Sequence, residues 1–155
     1  MMLRLTENFR IECHDWAQAQ HWAEPIRIEV FVKEQGVPSH IEMDSADPDC
    51  THAIAFDRDG HAIGTARLMP DGRIGRMAVL QNRRGQGVGG ALLQALLEHA
   101  TRLGLSRVYL HAQCQACGFY VRHGFRSEGQ EYLEADIPHQ TMVLELPDIP
   151  AGSTE

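Results

Sequence analysis

Lysine is nearly missing from this chain. Of 14 basic residues 13 are arginine and only Lys33 is lysine, so no polylysine tract exists. Acidic residues number 21 and the formal net charge is −7, which excludes bulk nucleic-acid binding, since that needs a basic face. Also missing is any run of 18 apolar residues, so no helical membrane span is expected. The first residues, Met1 to Glu7, have neither the apolar core nor the cleavage site of a secretory leader, which makes the cytoplasm the expected location. Cysteine is sparse, at positions 13, 50, 114 and 117. Cys114-Gln115-Ala116-Cys117 has the spacing of a metal or redox pair but no second pair to match it, so no metal is expected. Positions i and i+3 share a helix face, and two small thiols lining a helix is the leading reading, with redox chemistry behind it.

What remains is ordinary globular material: 155 residues, 43% hydrophobic and 23% charged. That suits one domain with a real core, expected over 1–147, and a loose tail over 148–155. Phe9 to Cys13 alternates as a strand. Asp15 is placed to cap a helical turn from Trp16, and Pro25 predicts a break followed by a second helix to Lys33, with Ile26, Val30 and Phe31 buried. Residues 36–51 form a polar loop. A meander follows: His52 to Asp57, Ala62 to Met69 and Arg73 to Leu80, joined by turns at Gly60 and Gly72. The main helix is expected from Gly87 to Leu103 with Gly104 at its C-terminal cap. Then come a strand over Ser106 to Leu110, a helix over 113–123 capped by Gly124, and closing strands Phe125 to Glu128 and Thr141 to Leu146.

The segment Arg84-Gly85-Gln86-Gly87-Val88-Gly89-Gly90 lies between a strand and the main helix. Glycines there let backbone N–H groups turn toward one point. The unpartnered N–H groups of the helix start and the helix dipole make an anion site suited to phosphate. A nucleotide triphosphate loop would need Gly-Lys-Ser/Thr, and Ala91 follows Gly90 instead. A dinucleotide loop fits as Gly85, Gly87 and Gly90, but the region about 20 positions on, Leu110-His111-Ala112, lacks the ribose-binding carboxylate.

Arg84 to Gly89 resembles the Gln/Arg-x-x-Gly-x-Gly/Ala signature of the GNAT superfamily of N-acetyltransferases. Gly118-Phe119-Tyr120-Val121-Arg122-His123-Gly124-Phe125 resembles that family's Phe-Tyr-x-x-x-Gly-Phe segment. Arg27-Ile28-Glu29-Val30-Phe31-Val32-Lys33-Glu34-Gln35, Glu42-Met43-Asp44 and Glu134-Ala135-Asp136-Ile137-Pro138-His139 are similar to segments of its ElaA-like subgroup. That subgroup has glycine where Asp136 stands, and if the position needs a positive φ, Asp is among the few residues that tolerate it. The resemblance implies an α/β (α+β) GNAT fold, a mixed and mostly antiparallel central sheet flanked by helices. It also implies acetyl-coenzyme A as co-substrate, held by backbone at Met77, Ala78 and Val79 and by the loop Arg84, Gly85, Gln86, Gly87, Val88, Gly89 and Gly90.

Acyl transfer to an amine sets the remaining expectations. The oxyanion needs a preorganised donor, for which a backbone N–H suffices. The leaving thiolate needs a proton, and the resemblance puts Tyr120 in that role, with packing as the alternative. A protonated amine must lose its proton, to Glu34, to His111, to His139 or to the loop carboxylates Glu42 and Asp44. Glu42, Asp44 and His139 are the candidates for holding the acceptor. Arg67 and Arg76, inside strands, face either a ligand or an exposed sheet surface. The expected partner is an amine-bearing small molecule or peptide, and the family's habit of pairing through sheet edges makes a homodimer an expectation. A non-catalytic coenzyme A-binding module is the alternative function.

Overall fold

The computed structural model describes residues 3–5, 8–38 and 45–148. Five antiparallel strands form one sheet in sequential order: β1 (Leu3–Leu5), β2 (Phe9–His14), β3 (Thr51–Asp57), β4 (Ala62–Leu68) and β5 (Ile74–Val79). A second antiparallel sheet has the order β6-β8-β7, with β6 at Arg107–Gln113, β7 at Arg126–Glu134 and β8 at Ile137–Glu145. The expected mixed sheet is thus two antiparallel sheets that meet at one parallel bridge, Arg73 to Tyr109. Beyond that bridge β5 and β6 have no further pairing among the described residues, and the sheets part.

Helix α1 (Trp16–Arg27) starts where expected, with the Asp15 carboxylate accepting from the Gln18 N–H. The predicted break at Pro25 does not occur. The helix runs through Pro25 and continues with π winding over Ile28–Glu34, where the Gln35 N–H reaches the Val30 carbonyl five residues back. Proline inside a helix costs about 3 kcal/mol. Continuity buries Ala19, Ala23, Ile26 and Val30 in one line, and that burial outweighs the lost bond.

Helix α2 (Val88–Arg102) carries the core. Val88, Leu92, Leu93, Leu96 and Leu97 are all buried, in one cluster with Ile11, Ala66, Val108 and Met142. Gly64 on β4 sets how closely α2 approaches, since a Cβ there would lie 3.1 Å from Val88 and 3.2 Å from Leu92. Gly104 ends α2 at φ 81, and the Leu105 N–H returns to the Ala100 carbonyl.

Three late elements differ from expectation. β6 runs on to Gln113, and the helix expected over 113–123 is a 3-10 turn, Cys114–Ala116, followed by the short α3 (Cys117–Arg122). The closing strands are longer and form a hairpin, which places Tyr132 in β7. The hairpin turns at Ala135 (φ 51) and Asp136 (φ 63), so position 136 does need a positive φ, which Asp tolerates. Of the expected tail, residues 149–155 lie outside the described residues.

Candidate active site

The glycine segment lies between the end of β5 and the start of α2. Gly87 is the N-cap of α2 at φ 86 and Gly85 has φ 78, so both are left-handed. These glycines bring the N–H groups of Val88, Gly89 and Gly90 to a helix start that has no intrahelical acceptors for them. Opposite lies β5, which is irregular where it faces the loop. Thr65 pairs with Ala78 and Arg67 with Gly75, so two β5 residues, Arg76 and Met77, stand opposite Ala66 alone. Arg76 has φ 50. This is a bulge with its first residue left-handed, and it turns β5 backbone out of the ladder.

Bulge and helix start bound one cleft of about 440 Å³. Met77, Ala78, Val79, Arg84, Gly85, Gly87, Val88, Gly89 and Gly90 line it, together with Val30, Gln35, Arg83 and Phe119. Gln86, also expected at the loop, is exposed and does not line the cleft.

Both loop arginines are bound to carboxylates. Arg83 Nη2 donates to Asp57 Oδ2 at 2.8 Å. Arg84 donates from Nη1 and Nη2 to the two oxygens of Glu34, at 2.6 and 2.8 Å, and from Nε to the Val79 carbonyl at 2.9 Å. The bond from Arg84 holds the Glu34 carboxyl below its ordinary pKa and raises that of Arg84. Glu34, a candidate base, is therefore a poor one. It ties the end of the π turn to the glycine loop.

Phe119 lines the cleft and Tyr120 does not. The Tyr120 ring packs on Phe119 and Phe125, at centroid distances of 5.0 and 5.8 Å. Burial, and secondarily Cys117, raise its pKa above the ordinary phenol value, which keeps it protonated.

The candidate histidines meet on the second sheet. His111 on β6 lies with Nδ1 2.8 Å from the Tyr132 hydroxyl and 3.1 Å from Thr141 Oγ1. Tyr132 stacks on His139, whose Nδ1 donates to the Ile137 carbonyl at 2.8 Å and whose Nε2 lies 3.3 Å from Glu134. His111 is exposed as a residue, yet partial desolvation of its ring, followed by the charge of Arg73, lowers its pKa; Glu134 opposes this, and His139 adds a smaller lowering effect. Tyr132 is the centre of this group, and no motif in the sequence points to it. Its register opposite His139 was the missing signal. Glu42 and Asp44 lie outside the described residues.

Arg67 faces neither a ligand nor an exposed surface. It is buried, and its Nη1 donates to Asp47 Oδ1 at 3.1 Å, while Arg27 Nη1 donates to Asp47 Oδ2 at 2.9 Å. His52 bonds the Asp47 carbonyl through Nε2 at 2.9 Å. This buried group pins the polar loop to α1 and the sheet. Of the cysteine pair, Cys114 donates to Glu131 at 3.5 Å and Cys117 to the Gln113 carbonyl at 3.8 Å. Asp57, Asp59 and His61 bring potential ligand atoms within 4.8 Å of one another. Asp57 there is engaged by Arg83 and by the N–H groups of Asp59 and His61.

Residues 17–146 match the acetyltransferase (GNAT) domain profile. The chain belongs to the GNAT acetyltransferase family. It is 40% identical to YjcF of Bacillus subtilis, an uncharacterized N-acetyltransferase, over 76% of this chain and 86% of YjcF. An acyl-CoA N-acyltransferase from Pseudomonas aeruginosa has 33% identity and a TM-score of 0.76 over 88% of this chain and 99% of that one. Escherichia coli ElaA has 29% identity and a TM-score of 0.78 over the same shares. The ElaA-like resemblance of the sequence thus extends to the fold, and acetyl transfer is the general chemistry of this GNAT chain.

Proposed function

We propose that this GNAT protein transfers the acetyl group of acetyl-coenzyme A to a primary amine of a small molecule or peptide by direct attack. The observation that carries the reading is the cleft in which the bulged strand β5 faces the N-terminus of α2. The helix start, with the N–H groups of Val88, Gly89 and Gly90, suits the pyrophosphate. β5 backbone at Met77, Ala78 and Val79 suits the pantetheine arm and the thioester carbonyl, and an N–H released by the bulge supplies the oxyanion donor.

In this scheme the amine nitrogen attacks the carbonyl carbon, the C–S bond breaks, and the thiolate takes a proton from Tyr120. The amine's own proton passes to His111, directly or through water. A lowered pKa keeps His111 unprotonated near neutral pH, whereas Glu34 is held by Arg84. We assign His139, Glu42 and Asp44 to the acceptor side, and Glu34 to positioning Arg84.

The position of Tyr120 beside Phe119 rather than on the cleft wall favours a second reading, a coenzyme A-binding module without catalysis. Calorimetric titration with acetyl-coenzyme A, coenzyme A and NAD, followed by a thiol-release screen across amines, separates them. The proposal expects acetyl-coenzyme A to bind, NAD to be silent, and Tyr120→Phe to lose about 100-fold in turnover at unchanged donor affinity. Absence of coenzyme A binding refutes both readings, and binding without turnover leaves the module.

A further inference from the structure

We propose that His123 binds the phosphate end of the coenzyme A donor, a role that rests on the donor-cleft reading above. His123 follows α3 directly, and its ring lies against the first turn of α2. A Cβ at Gly90 would sit 3.2 Å from both Cε1 and Nε2 of that ring, so glycine at 90 is what admits it. The ring also packs on Phe119 at a centroid distance of 4.8 Å, and Phe119 and Gly90 both line the cleft.

Gln94, one turn further along α2, lies with Nε2 3.0 Å from His123 Nδ1. The amide N–H₂ is a donor, so Nδ1 accepts and the hydrogen-bond network assigns the ring proton to Nε2. That nitrogen is the one beside Gly90, at the turn whose own N–H groups have no acceptor in the helix. Nε2 has no hydrogen-bond partner among the described residues. His123 is not itself in the cleft lining but touches two residues that are, Gly90 and Phe119, and in this proposal its ring N–H adds to the backbone N–H groups of the α2 start as a donor to the pyrophosphate. If His123 were only a wedge between α2 and α3, an apolar side chain would serve and the bond from Gln94 would have no purpose.

The test compares two donors on the full chain. Acetyl-coenzyme A carries the pyrophosphate, and acetyl-pantetheine lacks it. His123→Ala is expected to weaken coenzyme A binding about tenfold, the loss of one hydrogen bond to a charged group, while turnover with acetyl-pantetheine stays at the parent level. His123→Gln, which keeps an N–H donor, is expected to recover most of the affinity. Gly90→Ala, which must displace the ring, is expected to show the same selectivity between donors. Unchanged coenzyme A affinity in His123→Ala overturns the proposal, as does an equal loss with both donors, which would mean packing alone. A parent protein that binds no coenzyme A removes the donor-cleft reading itself, and that outcome is seen before any variant is made.

Discussion

Replacing Asp47 by Asn should be among the most damaging single changes outside the cleft. The Asp47 side chain is 2% exposed, and it accepts from Arg27, 0% exposed, and from Arg67, 5% exposed. Asn keeps the shape but removes the charge. Its one carbonyl oxygen can accept from one guanidinium, and its NH₂ must then face the other. Removing one partner of a buried ion pair costs about 3–5 kcal/mol, because the remaining charge stays in a poorly solvated place. For a domain of this size each kcal/mol moves the midpoint about 2–4 °C, so Tm should fall by about 6–20 °C. Thermal unfolding followed by circular dichroism measures it. Asp49→Asn, on the same 3-10 turn but exposed, is the control and should stay within about 0.5 kcal/mol of the parent. An Asp47→Asn protein less than about 1 kcal/mol below the parent would show that the carboxylate charge is dispensable and that shape alone holds the loop.

Gly87→Ala should cost about 1–2 kcal/mol in stability from the left-handed φ alone, since nothing lies within 4 Å of a Cβ there. It should also weaken coenzyme A binding by calorimetry, and full donor affinity in that variant would argue against the loop as the phosphate cradle. The pH profile of kcat/KM should rise through a limb below 6.5, because His111 must be unprotonated to accept a proton and its pKa is lowered. It should fall only above 10, because Tyr120 must stay protonated to donate and its pKa is raised. His111→Gln should abolish the acid limb, and a limb that survives in that variant assigns the base elsewhere.

The parts legible in the sequence are those whose physics is local. The α2 stripe repeats with helical period, Gly104 ends it, and Gly85 and Gly87 sit where only a left-handed backbone leads from strand to helix. Each of these can be read from a window of a few residues. Such a window misleads at Pro25, because it shows the local cost of the proline and not the compensating burial of Ile26 and Val30. The buried arginine shares that cause: Arg67 reads locally as a ligand-facing or surface charge, and its partner Asp47 lies 20 positions away. Arg84 lines the cleft and also binds Glu34, 50 positions away, a contact no local window shows. A charge in a sequence carries no indication of its partner, so an arginine beside a phosphate loop and one clamped by a carboxylate look alike. The backbone cradle escapes this ambiguity, because glycine's left-handed conformations and a helix's unpaired N–H groups need no distant partner. For that reason the anion site rests more firmly on Gly85, Gly87 and the start of α2 than on either loop arginine, and Gly87→Ala tests it more directly than any change of charge.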